Sequence, residues 1–526
     1  MERIESFVED KWTAGSGDGQ PLLNPATEEV IATASSSGID LDRALAHARR
    51  VGAASLGALT FRARGELIGK MATELTAKRE ALIESAMTNG GATRGDAKFD
   101  VDGAIGTLAA YAKLAEELPD ARLLADGPGV ALGRGPRFFG QHVYLPRAGV
   151  AVFVNAYNFP AWGFAEKAAC ALLAGMPVLV KPATATAHTA YLIARAIVDG
   201  GILPTGAMSF VAGAAHELVD LLGSQDVLAF TGSAATGRKL LGKKNIVEQR
   251  VPVNLEADSL NSAVLGPDVE LGSETFSLFL KDVTRDVIQK AGQKCTAIRR
   301  VVVPASRVDD VVAELSARFA EIKVGNPAQR EVGMGPLVSR TQLADVRSGV
   351  TLLREDADVL FGAPDAPVAA LGAPEGKGFF HPILLLRARD PHGAQRVHSH
   401  EVFGPVATIL TYSGHPEEAT ALVRRGDGSL VSSIYSDDRS FTEALVLGIA
   451  PWHGRLYLGS AKVADHTLGP GTVLPHSVHG GPGRAGGGEE LGGLRGVLHF
   501  MQRTALQGYR PVVEAICGQR TDAKVD

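Results

Sequence analysis

Apolar positions along the chain follow two different periods. From about residue 60 they recur among charged residues at helical spacing. Leu67, Met71 and Leu75 lie four apart on one face, and Asn89-Gly90-Gly91 is the predicted stop. From residue 149 the pattern becomes short apolar runs bounded by Gly and Pro: Val150–Val154, Val178–Val180, Met208–Ala212, Val227–Phe230 and Val251–Leu255. Such runs, alternating with amphipathic stretches, predict a parallel sheet covered on both faces, hence a doubly wound α/β region. A second set follows, with strands at Ser262–Leu265, Arg300–Pro304, Phe379–Leu386 and Val406–Tyr412. Between them lie a helix near Ser273–Ala291 and another over Ser306–Ile322. The change of set between Glu256 and Asn261 is the predicted domain boundary.

Composition narrows the class. The 526 residues are 45% apolar and 21% charged, enough apolar surface to offset ordering entropy, which excludes a disordered chain. A net charge of −5 with no basic run offers nucleic acid no footprint. Ala168–Val180 is the most apolar long stretch, but Gly175 and Pro177 break it and a spanning helix needs about 20 residues, so it reads as core and no membrane contact is expected. Met1–Asp10 is charged throughout and lacks an export signal's apolar stretch. The three cysteines, Cys170, Cys295 and Cys517, are too few and scattered for disulfides or a four-thiolate zinc site, so a reducing cytoplasm is expected. The only low-complexity segment is the glycine tract Gly480–Gly493.

Several residues could carry chemistry. Cys295 follows a predicted helix that Gly292 ends, and is either a nucleophile or a buried packing residue; Lys294 is its nearest cation in sequence. Glu256 ends an apolar strand, at the edge where open α/β sheets place ligands, as a general base or a solvated charge. Asn158 lies between a strand and a helix, where its amide either donates to an oxyanion or caps the helix, the cap being favoured. Phe230–Gly237 reads as strand, glycine turn and helix start, with Ser233 as N-cap and free N–H groups suited to a phosphate. Gly481–Gly486 spells G-x-G-x-x-G but carries Pro482 and follows no good strand, so it is rejected as a dinucleotide fingerprint. His398, His400 and Glu401 lack a third spaced ligand group, and no metal is expected. No G-x-S-x-G hydrolase elbow was found.

In order and spacing these residues resemble the NAD(P)-dependent aldehyde dehydrogenase superfamily, from about Phe7 to about Gln507. Asn24-Pro-Ala-Thr, Asn158-Phe-Pro160, Lys181-Pro-Ala183, Phe230-Thr-Gly-Ser, Leu255-Glu256, Gly292-Gln-x-Cys295 and Glu401-Val-Phe-Gly-Pro405 follow in family order, with Lys167 nine residues after Asn158. The resemblance implies that Cys295 attacks an aldehyde and that Asn158 and a backbone N–H hold the oxyanion. After hydride transfer, Glu256 would activate water to release a thioacyl-enzyme. Lys167 is carried over as a catalytic-site residue, and Glu490 as a second carboxylate near the substrate channel or a surface charge. The implied cofactor residues are Asn155, Tyr157, Lys181, Thr184, Gly213, Phe230, Gly232, Ser233, Thr236, Glu401 and Phe403. Many NAD-preferring members carry Glu where this chain has Thr184; its absence removes repulsion against a 2′-phosphate, so NADP is expected, with NAD weaker.

Departures from the common pattern, Ala257-Asp258-Ser259 after Glu256 and the glycine tract itself, resemble a sub-branch acting on CoA-linked semialdehydes of aromatic catabolism. The chain lacks the hydratase extension of the phenylacetate ring-opening members, which favours a stand-alone member of the aerobic benzoyl-CoA pathway. The implied reaction is NADP-dependent oxidation of 3,4-dehydroadipyl-CoA semialdehyde to the acid. Alternatives are a phenylacetate-pathway or a general aliphatic aldehyde, or a non-enzymatic member. The implied fold has a cofactor domain (1–123 and 148–255), a catalytic α/β domain (256–468) and an oligomerisation element (124–147 with 469–526), assembling as a homodimer or a pair of dimers.

Overall fold

The computed structural model describes residues 2–518, so the end of the expected C-terminal element, 519–526, lies outside the described residues. Two seven-stranded sheets organise the chain. The first runs, edge to edge, Val253–Glu256, Val227–Thr231, Ala151–Val154, Val178–Lys181, Met208–Phe210, Ser6–Val8 and Lys11–Thr13; its first five strands are parallel. Starting from Ala151–Val154 the chain adds strands outward on one side, then returns to add Val227–Thr231 and Val253–Glu256 on the other. That is doubly wound topology, with its reversal between Ala151–Val154 and Val227–Thr231. Alternate residues explain the unbroken apolar runs: Ala151 and Phe153 enter one core, Val150 and Val152 another, so both faces are covered. The chain leaves this sheet at Glu256 and enters the second at Ser262.

The second sheet is parallel except at Ala357–Phe361, and the helices Glu274–Ile288 and Val308–Ala320 pack on its core. Two expected elements are shorter and a third is interrupted. The strand expected at Phe379–Leu386 is Leu384–Ala388, because Pro382 lacks the N–H a ladder needs. The helix expected through Ala291 stops at Ile288, where the backbone turns to positive φ at Lys290 and Ala291. The helical region from residue 61 is Phe61–Ala77 and Arg79–Gly90, interrupted at Lys78 and ended by left-handed Gly91. Phe138–Pro146 pairs antiparallel with Met501–Tyr509 along nine residues, joining the two stretches expected to form one small element. Cys170 is buried and Cys517 partly so. No helix among the described residues is long and apolar enough to cross a membrane.

All thirteen residues of helix Trp162–Ala174 are buried, Glu166 and Lys167 among them. Its ends are satisfied by opposite charges that match the helix dipole. The Asp100 carboxylate accepts from the N–H of Trp162 (2.8 Å) and of Ala161 (3.4 Å). At the other end buried Arg64 donates to the carbonyls of Leu173 (3.2 Å), Ala174 (3.0 Å) and Leu56 (3.1 Å). Arg64→Ala strands the Leu173 and Ala174 carbonyls beside a cavity, which should destabilise the protein by about 2–4 kcal/mol. The expected readout is a lower thermal unfolding midpoint; an unchanged midpoint would remove Arg64 from this role.

Candidate active site

Because the five strands are parallel, their carboxyl ends share one edge, and Asn155, Lys181, Thr231 and Glu256 all sit there. Asn155 and Thr231 flank the topological reversal, where such sheets open a ligand crevice. Cys295 reaches the crevice from the second sheet's side. The approach is strained: Lys290, Ala291 and Gly292 have φ of 52°, 54° and 70° in succession. Only glycine fits at 292, since a Cβ there would lie 2.1 Å from the Gly404 carbonyl oxygen. The turn is then fixed by Asn261, whose amide donates to the carbonyls of Cys295 (2.8 Å) and Ala297 (2.9 Å). Lys294 gives the sulfur no charge, for its ammonium is spent on Asp286 (2.6 Å) and Gln289 (2.8 Å).

Cys295 Sγ lies 3.9 Å from His479 Nε2, which is 3.1 Å from Glu256 Oε1. The His479–Glu256 contact is a close approach without hydrogen-bond alignment, so Glu256 Oε1 keeps no aligned donor. Glu256 is buried, not the solvated strand end that the sequence left open. Next to it Lys167 Nζ meets Glu166 Oε1 (2.9 Å) and Glu490 Oε2 (3.1 Å), and carboxylate oxygens of Glu166, Glu256 and Glu490 lie within 4.8 Å of one another. Burial alone would discharge Lys167, but these carboxylates outweigh it and move its pKa up. Burial pushes Glu490 up to about 8, against the pull of Lys167. Burial also acts upward on Glu256, yet His479 and Lys167 hold it well below the usual carboxylate range. The Cys295 thiol is raised by burial and by the Glu256 charge. Thiol, imidazole and carboxylate also make a zinc-type donor set, but here Glu256 is paired with His479 in the field of Lys167, which suits proton exchange better.

The glycine tract builds this cluster. Val478–Gly480 pairs antiparallel with Glu489–Leu491, which sets His479 opposite Glu490. The hairpin then seats on the strand that bears Glu256: Gly488 N–H donates to Leu255 O (3.0 Å), Ala257 N–H to Ala485 O (3.0 Å) and Glu489 N–H to Asn254 Oδ1 (2.9 Å). A Cβ at Gly486 or Gly488 would fall 2.4 Å from the Leu255 carbonyl oxygen, so backbone must meet backbone. Asn254 also donates to Glu490 (3.1 Å).

Asn158 does not cap the following helix, contrary to the favoured expectation; Asp100 takes that position. Instead Lys290 donates to the Asn158 carbonyl, and its ammonium lies 4.1 Å over the Phe159 ring. Among the described residues, neither the Asn158 amide nor the Cys295 N–H donates to another protein group. Ser233 caps its helix as expected, accepting from Thr236 N–H (3.2 Å). The neighbouring Ala234 N–H is taken by Asp258 (2.9 Å), leaving this helix start only part of its anion-binding capacity. Asn155 Oδ1, Tyr157 OH and Thr231 Oγ1 are buried polar atoms without protein partners along this edge. Orphaned groups beside a switch-point crevice fit a dinucleotide better than dry packing. Phe230 and Gly232 flank Thr231, and Thr184 opens the turn after Lys181. Gly213, three residues beyond its strand, is held by packing on the Ser35–Ser36 backbone. Across the crevice Glu401 accepts from Ser259 N–H (3.1 Å) and from Arg299 (3.3 Å), and burial raises it to about 7. Phe403 lies under the Arg299 guanidinium at 5.3 Å, edge-on to Tyr157.

Cys295, Glu256, Asn158, Lys167, Asn155 and His479 line one narrow cavity of about 40 Å³. Phe99, Trp162 and Val473 wall both it and an outer cleft of about 600 Å³, whose cations are Lys98 and Arg285. Three residues escaped sequence reasoning: His479, Glu166 and Asp258. Asp258 stood inside one of the two stretches that depart from the common pattern and His479 directly before the other, which was their only signal.

The Aldehyde dehydrogenase family model matches residues 12–504. The 3,4-dehydroadipyl-CoA semialdehyde dehydrogenase of Aromatoleum evansii is 45% identical over 91% of this chain and 93% of its own. Protein MaoC of Klebsiella aerogenes is 42% identical over 36% of this chain and 53% of its own. The betaine aldehyde dehydrogenase of Staphylococcus aureus, solved with NAD+, superposes with a TM-score of 0.84 over 99% of this chain and 97% of that one, at 22% identity. With the fold shared and most of the chain matched, this protein belongs to the aldehyde dehydrogenase family, whose members oxidise aldehydes with NAD(P).

Proposed function

We propose that the protein oxidises 3,4-dehydroadipyl-CoA semialdehyde to the corresponding acid with NADP, in cytoplasmic breakdown of aromatic compounds. One observation carries the chemistry: a thiol and a carboxylate from different sheets converge in a single cavity at the switch-point crevice. The Cys295 sulfur attacks the aldehyde carbon. The resulting oxyanion accepts from Asn158 Nδ2 and the Cys295 N–H, both free of protein acceptors and both on residues that line this cavity. The nicotinamide, when bound, accepts the hydride. Glu256 then takes a proton from water as that water attacks the thioacyl group, and the Cys295 sulfur departs. Lys167 keeps Glu256 and its neighbours tolerable in a buried place.

The CoA-linked substrate is favoured by similarity to the Aromatoleum evansii enzyme and by the two-part cavity. A narrow inner chamber admits the aldehyde end, while the wide cleft outside it has room for a bulky carrier. Lys98 there is exposed and pairs with no carboxylate among the described residues, so it is the cation available to a phosphate. NADP rests on Thr184, which presents no carboxylate to a 2′-phosphate, with Lys181 as the ribose partner. Homodimer formation rests on the small sheet of 138–146 and 501–509, around which Val130, Leu132, Phe138, Leu145, Tyr509 and Val512 are exposed.

Reduced-nicotinamide production should be faster with NADP than with NAD, and with the CoA-linked semialdehyde than with a free aliphatic aldehyde. Equal kcat/KM on both aldehydes would sink the substrate reading and leave a general aldehyde dehydrogenase. Cys295→Ala should abolish turnover yet keep NADP binding by fluorescence titration, while Glu256→Gln should slow steady-state turnover by about 10²–10⁴-fold. Thr184→Glu should weaken NADP by roughly tenfold or more through charge repulsion, with little change for NAD; the same KM for NADP would refute Thr184 as the determinant. Phe138→Glu should convert a dimer to monomer in sedimentation, and a wild-type monomer would refute the assembly.

A further inference from the structure

The family pattern assigns a nucleophile and a carboxylate base, but no role for a histidine beside both. His479 stands there, 4% exposed, with its Nε2 at 3.9 Å from the sulfur and 3.1 Å from Glu256 Oε1. All three side chains have ligand atoms within 4.8 Å of one another, and each is delivered by a separate segment: the turn after Gly292, the end of a first-sheet strand, and the glycine hairpin. The thiol is itself within hydrogen-bond reach of the Glu256 carboxylate, so a thiolate and that carboxylate would face each other in a buried space with the imidazole beside both. Repulsion between like charges so placed disfavours ionising both.

We propose that His479 is a further catalytic residue, whose Nε2 takes the proton of the Cys295 thiol and whose imidazolium then lies beside both the thiolate and the Glu256 carboxylate and offsets their charges. This rests on the proposed role of Cys295 as nucleophile. The S–H bond breaks, its electron pair stays on sulfur and the proton moves to Nε2. The sulfur then bonds to the aldehyde carbon, and a hydride leaves that carbon for the oxidised nicotinamide dinucleotide of the established reaction. Water next adds to the thioacyl carbon, one of its protons going to Glu256. The C–S bond breaks, the departing sulfur recovers the His479 proton, and Glu256 releases its own to solvent. One aldehyde and one water thus become one acid, with a hydride and a proton released. Dividing the two transfers between two bases leaves Glu256 unprotonated when the water arrives.

The charged and titratable groups facing His479 are Cys295 and Glu256 at contact, Glu490 opposite it in the hairpin, and Glu166 with Lys167 from the buried helix. Burial lowers the proton affinity of His479 but Glu256 outweighs it, so the imidazole is the stronger base for its surroundings.

The test is alkylation of Cys295 by iodoacetamide in the cofactor-free enzyme, followed by mass spectrometry of its peptide from pH 5.5 to 10. His479→Gln should cut the rate at pH 7 by about tenfold or more and move the rise to higher pH, since less thiolate is present. Its NADPH burst should fall with it while the aldehyde KM holds. Added imidazole should restore part of the burst in His479→Gly. Glu256→Gln supplies a check independent of the histidine variants' folding. If His479 is the thiol base, alkylation persists in Glu256→Gln; if it collapses there, Glu256 is the base and the proposal fails. An alkylation profile for His479→Gln that overlays the wild type would also overturn it. A wild-type enzyme that alkylates normally but oxidises no aldehyde would instead refute the proposed function.

Discussion

Lys167 is buried in a helix with no solvent-facing side, and an ammonium survives there only where carboxylates surround it. Glu166 and Glu490 meet it directly, and Glu256 lies within its field. That one charge lets three carboxyl groups share a space in which they would otherwise repel one another. It also ties distant stretches of chain together, since Glu490 comes from the C-terminal hairpin and Glu256 from the last strand of the first sheet. The dipole-matched ends of the helix, Asp100 at one and Arg64 at the other, keep this charge in place.

The same arrangement sorts the carboxyl groups by their surroundings. Glu490, deep and only partly compensated, holds its proton near neutrality, whereas Glu256, beside His479 and Lys167, stays ionised. Two groups of one chemistry thus become a proton-holding acid and a carboxylate ready to accept, which is how a site runs successive proton transfers at one pH. The thiol next to them is disfavoured as an anion by burial and by Glu256.

The crevice side is simpler but not generic. Parallel strand ends and orphaned polar atoms make room for a dinucleotide, while Asp258 occupies one of the amides at the neighbouring helix start. Phosphate binding at that helix has to share its N–H groups with, or displace, a carboxylate that the common family pattern lacks.

Much of the molecule was legible in the amino-acid order. Apolar runs marked the first-sheet strands because both faces of a parallel sheet are buried, and Gly292 and Ser233 announced the turns they make because their backbone demands are local. Motif order was enough to single out Cys295, Glu256 and Asn158. What could not be read was direction. Lys294 adjoins Cys295 in sequence yet turns away to Asp286, and Asn158 yields the helix cap to Asp100, 58 residues earlier. The glycine tract looked like a loop of low complexity; its glycines are required because the hairpin lies backbone-to-backbone on the Glu256 strand, a contact between residues more than two hundred positions apart. His479 was invisible for the same reason. Local preference decides which residues form strands, turns and caps, but the place of a buried charge is set by partners from elsewhere in the chain, and only the tertiary fold brings those together.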